Sequence, residues 1–227
     1  IAVPLFILAG NLMNAGKITE KIFDTAKELV GWIPGGLGHA NVVASIIFAG
    51  MSGSAVADAG GLGAIEMEAM KKNGYDEDFA GAVTAASSVI GPIFPPSIPL
   101  IIYGSVASVS VDQLFMGGVL PGLLMGVALM VLVFIFAIKY KFERHPFRVA
   151  ALIRQFFGSI LSLITPLIIL AGFTTGWFTP TEASSIAVAY SLIIALIVYR
   201  TMDWKTFKHC LLESAITSAN TLFIIGT

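Results

Sequence analysis

Two short stretches carry residue types that can do chemistry in an otherwise apolar chain. Residues 50–63, GMSGSAVADAGGLG, place Ser52, Ser54, Asp58 and a group of glycines directly after an apolar run. Residues 91–99, GPIFPPSIP, hold Pro92, Pro95, Pro96 and Pro99. Each proline removes a backbone donor and pushes the preceding residue out of the helical region, so no continuous helix passes through. The spacing predicts a helix that stops near Ile90 and restarts near Ser97, and a second break around Gly50–Ser54. Interrupted helices leave unpaired carbonyls where they stop and unpaired N–H groups where they restart. The stopping ends near Gly50 and Ile90 suit a cation such as sodium, and the restarting ends near Ser54 and Ser97 suit a carboxylate. Ser52 and Ser54 add hydroxyl oxygens that can ligate a hard cation or hydrogen-bond a solute.

Asp58 is the only acid between Glu28 and Glu66. At membrane depth such a group costs roughly 2.5 to 3.5 kcal/mol on insertion scales. It reads either as a cation or proton partner or as a stabiliser of the following helix through its dipole. Gly60, Gly61 and Gly63 likewise serve either ligand approach or close helix packing.

The elements that must hold these breaks are membrane helices. The 227 residues are 56% hydrophobic and 12% charged, with mean hydropathy +0.88, outside the range of a soluble domain. Charge-free runs cover 29–57, 79–111, 114–138, 155–181 and 183–199. A net charge of −1 gives no sign of nucleic-acid binding. The lone Cys210 excludes an internal disulfide, and its place beside His209 fits a helix end better than a metal site. The opening at Ile1 and the apolar close at Thr227 read as those of a fragment.

All thirteen Lys and Arg fall in four windows, 17–28, 66–78, 139–154 and 200–208. Positive-inside bias assigns these to the cytoplasm and the base-free connections 110–116 and 176–182 to the other side. Two spans then lie between 78 and 139, and two between 154 and 200. The interval 29–65 begins and ends on one side but is too short for two full spans. It reads as a re-entrant hairpin with arms near 37–50 and 55–70. The resulting order is the end of a transmembrane helix (1–16), an amphipathic interfacial helix (17–34) against membrane lipid, and the hairpin (35–72). A broken span (79–109), a plain span (117–138), a cytoplasmic connection (139–157) and the start of a second half (158–227) follow. Two interruptions of this kind are the pattern by which secondary transporters build a site. PLFILAG at 4–10 and PLIILAG at 166–172 differ at one position, a trace of inverted repetition that chance also explains.

Residues 48–104, FAGMSGSAVADAGGLGAIEMEAMKKNGYDEDFAGAVTAASSVIGPIFPPSIPLIIYG, together with GGVLPG (117–122) and TPTEAS (179–184), resemble the large membrane subunit of TRAP (tripartite ATP-independent periplasmic) transporters. The ADAGG form is most similar to the sialic-acid branch, with C4-dicarboxylate members next. The resemblance implies an all-α polytopic protein of ion-transporter-like fold, with inverted repeats of which the second is truncated here. It implies sodium-coupled uptake of an organic acid anion across the bacterial inner membrane by an elevator movement. The implied partners are a soluble periplasmic binding protein and a small membrane subunit, separate or fused. Carried onto this sequence, the sodium site takes Ser52, Gly53, Ser54, Gly91, Pro92 and Pro96, to which Asp58 is added as the nearby acid. Solute then lies against Ser54, Pro95 and Ser97. A passive channel, or a carboxylate symporter of the same superfamily that works without a binding protein, tolerates unwound backbone equally. A membrane enzyme fares poorly, because no HExxH, Ser/His pair or paired intramembrane carboxylates stand out within the spans.

Overall fold

The computed structural model describes residues 1–142 and 149–226, which are helical with no strand among them. Helix α1 (Ala2–Ala15) leads through Gly16 into α2 (Ile18–Val30). Helix α3 (Gly36–Ser52) follows, then the short α4 (Ala55–Ala57), a π-helical turn (Asp58–Leu62) and α5 (Gly63–Lys72). Residues 55–72 thus form one returning arm, which folds back against α3. The interrupted span consists of α6 (Glu77–Ser88) and α7 (Ile98–Ala107), separated by an unwound segment. Helices α8 (Val111–Tyr140), α9 (Val149–Thr174) and α10 (Pro180–Ile193), a second π-turn (Ile194–Val198) and α11 (Trp204–Gly226) complete the order.

Local chemistry explains most of the boundaries. The Asp76 carboxylate accepts from the N–H groups of Asp78 and Phe79 and starts α6. Ser110 caps α8, which therefore begins six residues before the expected 117, with Asp112 in its favourable first turn. Thr179 and Glu182 form a reciprocal capping box that starts α10, ahead of the charge-free run 183–199.

Among the described residues, three helical stretches, Val111–Tyr140, Val149–Gly172 and Pro180–Val198, are long and apolar enough to cross a bilayer. Helix α9 begins at Val149, so the connection expected over 139–157 is helical from there on. Residues 143–148 of that connection lie outside the described residues. The amphipathic helix expected at 17–34 is α2, and its apolar face (Ile18, Ile22, Phe23, Ala26) is buried against α3 and α9. That face is spent on protein packing and not on lipid alone.

The hairpin, α6 and α8 form the frame around the two breaks. A buried polar ladder joins α3 to α6. Asn41 Nδ2 donates to Thr84 Oγ1 at 2.7 Å, Ser87 Oγ donates to Asn41 Oδ1 at 2.7 Å, and Ser45 Oγ donates to Ser87 Oγ at 3.1 Å. Fully satisfied networks of this kind fix one relative placement of two helices.

Candidate functional site

The hairpin turn is made by one glycine. Helix α3 stops because Gly53 adopts φ +60, the left-handed conformation that an L side chain resists. Ser54 is extended behind it, and its Oγ accepts from Ala57 N at 3.3 Å, which caps the returning arm. Ser52 Oγ turns inward and accepts from Ser54 N at 3.5 Å.

The second break has its own internal brace. After α6 the chain turns through residues 89–96, with a cis peptide between Pro95 and Pro96. Ser97 Oγ accepts from Leu100 N at 3.2 Å to start α7, and its proton goes to the Pro92 carbonyl. The Ser97 hydroxyl is therefore engaged on both sides and is fully buried, as is Pro95. In this arrangement Ser97 shapes the break.

The two breaks touch. Ile98 N donates to the Gly53 carbonyl at 3.3 Å, a backbone bond that links the hairpin tip directly to the restart of α7. A Cβ placed on Gly53 would collide with the Pro96 carbonyl. On the other side, a Cβ on Gly91 would sit 3.4 Å from Ser54 C and 3.5 Å from Ala55 N. Ser52, Gly53, Ser54, Gly91 and Pro96 thus converge, with Pro92 tied in through Ser97. Asp58 does not join them. Its N–H donates to the Ser54 carbonyl at 3.1 Å, and its carboxyl is buried against Ser45 of α3 and Ser88 of α6.

The meeting point is rich in oxygen. The carbonyls of Gly50, Met51, Ser52 and Pro96 accept no hydrogen bond among the described residues, and Ser52 and Ser54 add hydroxyls. Partial negative charge at the end of α3 adds to theirs. Such a donor set suits a hard monovalent cation and offers nothing to a soft metal. Beside the tip, a cavity of about 920 Å³ opens between α1, the start of the returning arm and α11, with Asn11, Asn14, Ser54, His209 and Thr217 on its wall. There Asn14 Nδ2 donates to the Ala57 carbonyl at 3.1 Å. Cys210 Sγ is directed at the Asn11 carbonyl, and His209 Nδ1 lies 3.5 Å from Glu213 Oε2, so the two neighbours have separate structural partners.

Two features escaped the reading of the sequence. Gly118, Gly122 and Gly126 form one stripe of α8, and a Cβ on them would meet the Ile93 carbonyl, Phe94 and Ile46 respectively. This glycine face lets α8 lie flat on the unwound segment, and its spacing of four is the legible signal. Glu66, counted only as part of a charge window, is fully buried in the returning arm.

Comparison with known proteins places this geometry. The family described as "Tripartite ATP-independent periplasmic transporter, DctM component" matches residues 1–227. The sialic acid TRAP transporter large permease protein SiaM of Vibrio cholerae is 48% identical over 223 residues, 96% of this chain and 52% of that protein. The sialic acid TRAP transporter permease protein SiaT of Haemophilus influenzae is 48% identical over 227 residues, 99% of this chain and 37% of that protein. The C4-dicarboxylate TRAP transporter large permease protein DctM of Pseudomonas aeruginosa is 38% identical over 230 residues, 100% of this chain and 53% of that protein. The chain spans about half or less of the length of these relatives, which are transport proteins and not enzymes. Apolar helices, paired breaks and whole-chain similarity agree, and the chain belongs to the DctM component family of tripartite ATP-independent periplasmic transporters.

Proposed function

We propose that the paired breaks form a sodium site, and that the complete transporter containing this chain couples sodium entry to uptake of an organic acid anion. The observation that carries the reading is the bond from Ile98 N to the Gly53 carbonyl, which brings the stopped end of α3 and its unpaired carbonyls against the unwound segment where α7 restarts. Ser52, Gly53, Ser54, Gly91, Pro92 and Pro96 hold the ion. Ser54, at the junction of the tip and the cavity, presents its side to the solute. Helix α3 and the returning arm act as a re-entrant hairpin, and hairpin and broken span move together as an elevator against a scaffold.

The relatives named for sialic acid are 48% identical and the one named for C4-dicarboxylates 38%, which favours a sialic acid. A periplasmic binding protein delivers it, and a small membrane subunit completes the transporter in the bacterial inner membrane. A passive channel and a symporter without a binding protein are the competing readings. Uptake by the complete transporter in proteoliposomes separates them: it saturates, needs the binding protein, and stops when choline replaces sodium. Equal uptake in choline ends the coupling claim. Ser52→Ala and Ser54→Ala each raise the sodium concentration needed for half-maximal uptake, and unchanged sodium dependence in both refutes the tip assignment. Pro96→Ala tests the second break in the same assay.

A further inference from the structure

Helix α1 holds the returning arm by a polar contact that neither break requires. Asn14 Nδ2 donates to the Ala57 carbonyl at 3.1 Å, the one side-chain hydrogen bond between α1 and the arm among the described residues. Ala57 stands where the arm passes from its first turn into the π-turn Asp58–Leu62, in which Gly63 N reaches back five residues to the Asp58 carbonyl. Single π-turns of this kind are rare and recur at functional sites.

Missing side chains make room for the contact. A Cβ on Gly61 would fall on the Asn14 carboxamide, which lies against the π-turn only because that position is bare. One turn earlier in α1, a Cβ on Gly10 would stand 3.2 Å from Ser52 Cβ and 3.7 Å from Ala57 Cβ. Gly10 and Asn14, four residues apart, therefore share a face of α1 that closes on both sides of the hairpin tip. Asn11 ties the same helix elsewhere, its Nδ2 donating to Ser214 Oγ of α11 at 2.8 Å, so α1 is a support anchored outside the hairpin.

Ala57 links this contact to the serine at the tip. Its N–H donates to Ser54 Oγ at 3.3 Å while its carbonyl accepts from Asn14, so a single residue is bonded to the tip hydroxyl at one end and to α1 at the other. Asn14 Oδ1 is buried with no hydrogen-bond partner. Leaving an acceptor unpaired is unfavourable, and an apolar side chain of similar size would fill the space without that cost. What the asparagine brings is the donor to Ala57.

We infer that Asn14 is a positioning residue for the hairpin tip: through the Ala57 carbonyl it fixes the first turn of the returning arm, and with it the placement of the Ser54 hydroxyl in the ion site. The inference rests on the reading that Ser54 is a sodium ligand.

The test is ²²Na⁺ binding to the complete transporter in nanodiscs, for wild type, Asn14→Ala, Ser54→Ala, the double variant and Thr201→Ala. Thr201→Ala removes the bond from Thr201 Oγ1 to the Gly16 carbonyl at 2.9 Å and loosens the same end of α1 away from the arm. Asn14→Ala weakens sodium binding about two- to tenfold, the worth of one hydrogen bond, and Thr201→Ala leaves it unchanged. In the Ser54→Ala background Asn14→Ala adds nothing further, because the two residues act as one unit. Gly61→Ala, which pushes the carboxamide off its seat, replaces Asn14→Ala in the same cycle should that variant fail to insert. Unchanged binding in Asn14→Ala, an equal loss in Thr201→Ala, or full additivity with Ser54→Ala overturns the positioning role and leaves the tip reading standing. Unchanged binding in Ser54→Ala refutes the tip reading and the inference with it.

Discussion

The contact between the two breaks can be tested with a single methyl group, through Gly53→Ala. Gly53 has φ +60, and an L residue pays about 1–2 kcal/mol to hold the left-handed conformation. The new Cβ also collides with the Pro96 carbonyl and lies 3.1 Å from Ile98 N, so tip and unwound segment must separate. Their separation breaks the bond from Ile98 N to the Gly53 carbonyl, worth about 0.5–1.5 kcal/mol net. The two terms together come to about 1.5–3.5 kcal/mol. Gly74→Ala isolates the first of them, because Gly74 has φ +77 and nothing within 4 Å of an added Cβ. Both variants are made in the complete transporter and assayed by thermal unfolding and by sodium titration of uptake. Gly74→Ala loses some stability and keeps wild-type sodium dependence. Gly53→Ala loses more and needs about two- to tenfold more sodium, since only the broken bond acts on the ion site and each 1.4 kcal/mol is a factor of about ten in affinity. Wild-type sodium dependence in Gly53→Ala refutes the idea that the meeting of the breaks forms the ion site.

Gly122→Leu drives a side chain into Phe94, whose Cβ and Cδ2 already lie 3.0 Å from an added Cβ, and displaces α8 from the unwound segment. Lowered thermal stability and lowered uptake are expected, whereas Gly117→Leu, with nothing within 4 Å of its Cβ, changes neither. Ser97→Ala removes the cap on Leu100 N and the donor to the Pro92 carbonyl, at about 1 kcal/mol for the cap, read as a fall in unfolding temperature that Ser97→Thr largely restores. Asn41→Ala leaves Thr84 Oγ1 without its buried donor and costs about 1–3 kcal/mol, although Ser87 Oγ keeps the Thr84 carbonyl, while Asn73→Ala, on the exposed end of α5, costs far less in the same measurement.

Both breaks were legible in the sequence because proline and glycine act locally. Four prolines between 92 and 99 forbid a helix whatever surrounds them, and the observed restart at Ser97 follows from its own capping hydroxyl. The partner of each break was not legible. That Gly53 lies on Pro96 is a contact between residues forty-three positions apart, and no local propensity records it. Glu66 shows the same limit. In the sequence it sits in a run with Glu68, Lys71 and Lys72 and reads as a solvated window, yet the helical period turns it inward and leaves those neighbours outside. The extent of α2 was readable from its charge pattern, but what covers its apolar face was not, since lipid and protein satisfy the same periodicity.

The unwound segment is held from two sides, and this bears on how an ion site can exist there at all. Gly53 and Gly91 let the hairpin tip press on it from one side, and Gly118 and Gly122 let α8 press on it from the other. Backbone without helical hydrogen bonds is ordinarily free to rearrange, and ordering it at the moment of binding would consume affinity. Here the carbonyls are fixed by neighbouring backbones that approach only because side chains are missing, so that cost is met when the chain folds. The ladder from Asn41 and Ser45 to Thr84 and Ser87 extends the same constraint along the arms. Helix α3, the returning arm, α6 and the start of α7 are therefore coupled by polar and backbone bonds that a relative shift would break. Any displacement that carries the hairpin tip must carry the second break with it, and an ion bound between them as proposed would travel with both.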